Sequence, residues 1–390
     1  MLPEKNIDML VERTIQNKII DLIKSNEAKR KIIVIYGARQ VGKTTLIKQI
    51  EDMVNLKSVY YNCDFLNIQE QFSYQNASNF GNIIKGIDLL ILDEAQRIRD
   101  IGMVLKILCD TYPDIQIIAS GSSSFELSNK INEPLTGRKQ VFSLFPFSFE
   151  EMTVHKNYLD KKNSVESFMR FGSYPALLNK NENEKIEILN ELAGSYLFKD
   201  LLSFQSIKKP EALSNLLRLL ALQIGNEVSY TELSNTLRVD HSVVQNYISL
   251  LEECFIIFKL PAFKRNMRNE IAKSRKVYFW DMGIRNAIIQ NFNTMKYRDD
   301  AGALWENFCV IERMKFLKNR QYFFNPYFWR TYNQKEIDFI EESGGSIKAF
   351  EFKINAGKKI NPPENFMSTY PVSGFSVVNQ DNFLEELFVV

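Results

Sequence analysis

Val34-Ile35-Tyr36-Gly37-Ala38-Arg39-Gln40-Val41-Gly42-Lys43-Thr44-Thr45-Leu46-Ile47 spells a Walker A phosphate loop, G-x-x-x-x-G-K-T, between an apolar run and an amphipathic one. The run from Lys31 to Tyr36 reads as a buried strand; from Lys43 onward, Leu46, Ile47 and Ile50 share one helical face. Gly37 and Gly42 let the backbone fold so that successive N–H groups converge on phosphate oxygens, and the helix that follows turns its positive end toward them. Lys43 adds a point charge, and Thr44 a hydroxyl for Mg²⁺. Ala38, Arg39, Gln40, Val41 and Thr45 complete a cradle whose expected occupant is ATP with Mg²⁺.

A second apolar run, Ile87-Asp88-Leu89-Leu90-Ile91-Leu92, leads into Asp93-Glu94. Acids at the carboxyl end of a buried parallel strand stand where α/β sheets place ligands. This is a Walker B pattern, in which Asp93 holds Mg²⁺ and Glu94 orients or deprotonates the attacking water. A third run, 115–119, ends at Ser120-Gly121-Ser122, and Ser120 or Ser122 is positioned to sense a γ-phosphate.

The chain has 390 residues and a formal charge of +2, so nucleic-acid contact has to come from a local patch and not from a global field. Four dispersed cysteines lack metal-ligand spacing, and two histidines are too few for most zinc hydrolases. No apolar run reaches the ~18 residues of a membrane span, and no signal peptide is visible, so a cytoplasmic protein without membrane contact is expected.

Near residue 165 the strand-helix alternation gives way to helical patterns at 165–178, 184–202 and 211–224, with the polar stretch 157–164 and 206–210 read as connectors. Ser229 caps a short helix, a turn follows at Val239-Asp240, and 241–254 repeats the apolar spacing at Val244, Tyr247, Ile248 and Leu251. With strands at 255–260 and 277–280, this is the outline of a winged helix-turn-helix. His241, Ser242, Gln245 and Asn246 fall at the exposed start of its second helix. Lys264, Arg265, Arg268, Lys273, Arg275 and Lys276 form a basic hairpin suited to phosphates, which makes DNA the expected partner.

The last hundred residues place Glu306 on a helix at 303–317 and Asp338, Glu351 and Lys353 on two strands joined through Gly344-Gly345. The strand period of two puts Glu351 and Lys353 on one face, within reach of Asp338 on the neighbouring strand. Carboxylates at Asp338 and Glu351 would hold a second Mg²⁺ while Lys353 orients water, the needs of a metal-dependent phosphodiesterase. The spacing resembles the PD-(D/E)xK nuclease superfamily, with Ile337 where that name has proline.

Gly37 to Leu46, Leu92-Asp93-Glu94-Ala95-Gln96, Leu135-Thr136-Gly137-Arg138 and Leu144-Phe145-Pro146-Phe147-Ser148-Phe149-Glu150 together resemble the prokaryotic AAA+-type ATPases that carry a C-terminal domain of unknown function. The resemblance continues through Arg170-Phe171-Gly172-Ser173-Tyr174-Pro175, Tyr278-Phe279-Trp280-Asp281-Met282-Gly283 and Gly302-Ala303-Leu304-Trp305-Glu306-Asn307-Phe308. It implies an α/β chain: an AAA+-like P-loop NTPase at 1–160, a helical segment at 161–208, a winged helix-turn-helix at 209–290 and a nuclease-like α/β domain at 291–390. It also implies that Arg138 is a candidate arginine finger or sensor, acting in its own subunit or in a homo-oligomeric neighbour; the alternative for that residue is a structural ion pair. The expected activity is an ATP-binding and ATP-hydrolysing switch coupled to a winged-helix DNA-binding module and a nuclease-like C-terminal domain; the alternative is a nucleotide-controlled regulator or scaffold with a catalytically silent C-terminal domain that binds nucleic acid or protein.

Overall fold

The computed structural model describes residues 11–25, 31–122, 131, 135–196, 207, 209–263, 275–331, 335–355, 357 and 360–389. They group into two compact units, 1–37 with 42–156, and 38–41 with 157–390.

In the first unit the apolar runs become β1 (Ile32–Tyr36), β3 (Leu89–Asp93) and β4 (Gln116–Gly121), buried along their whole length. The half-exposed β2 (Ser58–Asn62) and β5 (Lys139–Ser143) flank them in the order β2-β3-β4-β1-β5, every pairing parallel. Strands covered on both faces need no alternation, which explains the unbroken runs Ile32-Ile33-Val34-Ile35 and Leu89-Leu90-Ile91-Leu92. The order brings the carboxyl ends of β1, β3 and β4 to one edge, where the loop after β1, Asp93 and Ser120 all lie. Lys43–Val54 is the helix anticipated after the loop, burying Leu46, Ile47, Ile50 and Val54.

The motif 144–150 turns out to be a structural clasp. Ser148 caps the short helix Phe149–Thr153 in a capping box with Glu151. Buried Arg13 donates to Phe145 O and Glu151 Oε2, both at 3.2 Å, with its guanidinium 3.7 Å from the Phe147 ring centre. Paired and satisfied in this way, a charge can be buried that would otherwise be too costly to desolvate.

In the second unit the stretch 157–164 is not a connector. Asn157 caps the helix Tyr158–Phe171, accepting from Asp160 N at 2.9 Å, and its Lys161 and Lys162 are half-buried, Lys162 lying 3.1 Å from Asp381 Oδ1. That helix ends at Gly172, whose φ of +68° suits glycine. A Cβ there would collide with the Asp281 carboxylate, which accepts from Ser173 N at 2.8 Å and Ile284 N at 3.0 Å. A Cβ on Gly283 would run into the Phe171 carbonyl. The segments 170–175 and 278–283 are therefore two halves of one close backbone contact.

Helices Pro210–Leu222, Tyr230–Leu237 and His241–Glu253 share a core with the antiparallel pair β6 (Ile257–Pro261) and β7 (Arg275–Phe279). An isolated antiparallel bridge, Glu227 to Lys276, adds a third chain segment to this pair. The helix Ala301–Asn319 packs on β7, and its Asn307 side chain caps the strand, accepting from Phe279 N and donating to Phe279 O, each at 3.0 Å. Beyond it β8 (Asn325–Arg330), β9 (Glu336–Ser343), β10 (Ser346–Phe352) and β11 (Val372–Val378) form a sheet in the order β11-β10-β9-β8. The β9–β10 turn uses Gly344 and Gly345 at φ +57° and +82°, as two-residue hairpins require. Among the described residues no helix is long and apolar enough to cross a membrane.

Candidate functional site

The loop after β1 has the backbone a phosphate cradle needs. Gln40 and Gly42 sit at φ +61° and +94°, left-handed positions of the kind that anion-binding loops use. Lys43 is buried, and its ammonium donates to Gly37 O at 3.0 Å, closing the loop on itself. Thr44 Oγ1 donates to Asp93 Oδ2 at 2.6 Å, so the paired Walker A and Walker B oxygens expected from the sequence meet directly. A hydroxyl and a carboxylate are the hard oxygen donors that suit Mg²⁺.

Asp93 is held as a carboxylate. Burial alone would raise its pKa, but hydrogen bonds from Ser120, Thr44 and Tyr60 and the Lys43 charge outweigh burial and keep it below the ordinary range. Ser120 donates through a very short contact to Oδ1, and Tyr60 Oη donates to Oδ2 at 2.7 Å. Tyr60, on β2, was not among the residues picked out in the sequence. The available signal was its position on a strand beside β3, in register with Ile91. Glu94 follows Asp93 at φ +54°, with its N–H donated to Ser120 Oγ at 3.2 Å. Its carboxylate receives Gln96 Nε2 at 2.6 Å.

Arg138, just before β5, donates from Nε to Asp110 Oδ1 at 2.8 Å. Both side chains are more than two-fifths exposed, where an ion pair adds little stability.

In the second unit the structure gathers Glu306, Asp338, Glu351 and Lys353, and adds a member that the sequence reading had assigned elsewhere. Lys276, expected in the phosphate-gripping hairpin, is 2 % exposed on β7. Its ammonium lies 2.9 Å from Glu306 Oε1 and 3.8 Å from Asp338 Oδ1, and also contacts Glu336. Tyr278 Oη donates to the same Glu306 oxygen at 2.7 Å. Lys353 Nζ donates to Glu351 Oε1 at 2.7 Å, and Asp338 Oδ2 accepts from Phe352 N at 2.8 Å. Of the two carboxylates expected to hold Mg²⁺, Asp338 thus lies near the buried Lys276 and Glu351 is paired with Lys353. Among the described residues no group of three or more His, Cys, Asp or Glu side chains is disposed to hold a metal ion.

The electrostatics follow from crowding. Burial, then the Glu306 charge, pushes the Asp338 carboxyl up to about 7 against the pull of Lys276. Burial and Asp338 likewise raise Glu351, although Lys353 opposes them. Burial would lower the pKa of Lys276, but Glu306, Asp338 and Glu336 hold it above its ordinary value. The sequence cue was a lysine abutting the apolar strand Val277-Tyr278-Phe279, where a charge has to find a partner.

On the helix His241–Glu253, His241, Ser242, Gln245 and Asn246 are exposed, as expected, while Val244, Tyr247, Ile248 and Leu251 are buried. Arg275 is half-buried, its guanidinium 5.0 Å from the Tyr230 ring centre and its Nη1 donating to Tyr230 Oη at 2.9 Å. Lys264, Arg265, Arg268 and Lys273 lie outside the described residues.

The parallel sheet, Gly42-Lys43-Thr44 and the Thr44–Asp93 pair give the first unit the features of a P-loop ATPase domain. In agreement, residues 29–153 match the family model described as AAA domain. Residues 162–295 and 301–387 match two models described as domains of unknown function, DUF8612 and DUF4143. An uncharacterized protein of Methanocaldococcus jannaschii is 28% identical over 333 residues, covering 75% of this chain and 70% of its own length. An uncharacterized protein of Haemophilus influenzae is 26% identical over 375 residues, covering 90% of this chain and 88% of its own. Among solved structures, the RuvB Holliday junction branch migration motor of Thermotoga maritima aligns over 65% of this chain and 92% of its own, at 16% identity and a TM-score of 0.34.

Proposed function

We propose that this chain is an ATP-driven switch that reads DNA through a winged helix and carries a nuclease-like, catalytically silent C-terminal domain. The contact of Thr44 with Asp93 at 2.6 Å, beside Glu94, carries the ATPase part. The loop 37–45 would hold the phosphates through its N–H groups and Lys43, and Thr44 and Asp93 would hold Mg²⁺, which supplies charge neutralisation at the β- and γ-phosphates. Glu94 would take a proton from water as its oxygen bonds to the γ-phosphorus, and the bond to the bridging oxygen breaks with its electron pair leaving on ADP.

The DNA reading rests on the order of elements in 210–279: helix, single bridge at Glu227, two helices, then an antiparallel hairpin. That order is the winged-helix order, and it leaves the polar face His241, Ser242, Gln245 and Asn246 exposed for base edges. The silent reading of the C-terminal domain is favoured by Lys276 among Glu306, Glu336 and Asp338. A protein ammonium there neutralises the acids that a nuclease would spend on metal.

ATP hydrolysis by the full chain, measured with and without duplex DNA, tests the proposal. Lys43→Ala should abolish nucleotide binding, and Glu94→Gln should bind ATP and turn it over only at a small residual rate. Wild-type turnover by Glu94→Gln would remove Glu94 from its role. Cleavage of DNA or RNA with Mn²⁺, lost in Asp338→Asn, would overturn the silent reading.

A further inference from the structure

We infer that Gln96 is a positioning residue that orients the Glu94 carboxylate for proton abstraction. The inference rests on the ATPase reading above. Glu94 occupies left-handed backbone space at φ +54°, a conformation that a glutamate holds only when its surroundings impose it. Its N–H is tied to Ser120 Oγ at 3.2 Å, which fixes the main chain but leaves the side-chain torsions open.

Gln96 closes those torsions. It sits on the short 3₁₀ turn Ala95–Arg97 and is 3 % exposed. Its Nε2 lies 2.6 Å from Glu94 Oε2 and 3.1 Å from Ser122 Oγ. A primary amide has two N–H bonds, one for each acceptor, and a carboxylate accepts only, so the NH2 and not the carbonyl must face Glu94. Anchoring the amide to Ser122, just past the end of β4, ties the carboxylate to the sheet that also fixes Asp93. With Oε2 engaged, Oε1 is the oxygen assigned to the water. A carboxylate carried on three rotatable bonds loses rotamer freedom by such a clamp before the reaction begins, and misplacement of a reacting group by about 1 Å lowers rates by about a hundredfold.

The test is steady-state ATPase kinetics of the full chain. Gln96→Leu, which keeps the volume and removes the donors, should lower kcat about tenfold to hundredfold with the KM for ATP unchanged. Added to Glu94→Gln, it should lower the residual rate no further, because the group it positions is already disabled; a merely structural residue would lower both backgrounds alike. Ser122→Ala, a smaller change should Gln96→Leu fail to fold, should reduce kcat by a lesser factor at constant KM. Wild-type kcat in Gln96→Leu, a rise in KM alone, or an equal loss in the Glu94→Gln background would overturn the inference while leaving ATP hydrolysis standing. Absence of turnover in the wild type would instead remove the ATPase reading and the inference with it.

Discussion

Lys276 Nζ lies 2.9 Å from Glu306 Oε1, joining a lysine on a hairpin strand to a glutamate on the helix Ala301–Asn319, with Asp338 3.8 Å from the same ammonium. The buried lysine is the counter-ion shared by three acids, Glu306, Glu336 and Asp338. Removing one partner of a buried ion pair typically destabilises by about 3–5 kcal/mol, since the remaining charges stay uncompensated.

Lys276→Met should therefore destabilise the protein, and more at pH 8 than at pH 5.5. Asp338 titrates at about 7, above the ordinary carboxylate range, because of burial and Glu306. The folded state thus binds its proton more tightly than the unfolded one. That contribution is full below the unfolded pKa and is lost as pH rises through about 7. Without Lys276 the carboxyl pKa rises further and the loss steepens. Denaturant unfolding at the two pH values checks this; an equal deficit at both would show that Lys276 does not neutralise the cluster.

Tyr60→Phe should weaken the response to Mg²⁺ without abolishing ATP binding. The phenol donates to Asp93 at 2.7 Å, on the oxygen that also receives Thr44. Loss of such an outer hydrogen bond commonly lowers metal affinity about tenfold or more. A Mg²⁺ titration of ATPase rate at saturating ATP would show the half-saturation point move up. An unchanged midpoint would make the Tyr60 contact a packing detail.

Two glycine substitutions in the second unit should move stability in opposite directions. Gly283→Ala forces a methyl into the Phe171 carbonyl and should destabilise by about 3 kcal/mol. Gly302→Ala meets open space on the helix Ala301–Asn319 and should stabilise by about 0.5–1 kcal/mol. Thermal melting of both variants separates the close contact from a general intolerance of alanine.

Duplex DNA binding, followed by fluorescence anisotropy at two salt concentrations, should weaken with salt and with changes on the exposed face of His241–Glu253. Gln245→Ala and Asn246→Ala should each lower affinity by about 1–3 kcal/mol for a preferred site and little for random sequence. Equal effects on both would assign these residues to the backbone.

Local pattern was enough for the three central strands of the first unit. Ile32–Tyr36, Leu89–Asp93 and Gln116–Gly121 are strands bounded by loop chemistry, and the Walker A and Walker B residues stand at or just past their ends within the same stretch of chain. Burial on both faces writes itself into sequence as an unbroken apolar run, and the loop glycines mark the turn. The helix pair at 230–253 was legible for the same reason, a Ser cap and a regular apolar spacing. The polar composition of 157–164 concealed a helix, because an exposed helical face and a connector look alike until an N-cap such as Asn157 is seen to bond.

Partners distant in the chain were decided only by the tertiary structure. Arg13 finds Glu151, Tyr60 finds Asp93, and Lys276 finds Glu306, Glu336 and Asp338 through pairings that no spacing encodes. The residue types Asp338, Glu351 and Lys353 were visible as a pattern, yet the cation lying against Glu306, Glu336 and Asp338 came from β7, a strand of a different sheet. A charge buried in a low-dielectric interior must be paired, so the sequence required a partner for Lys276; packing of the hairpin, the helix and the sheet chose which one.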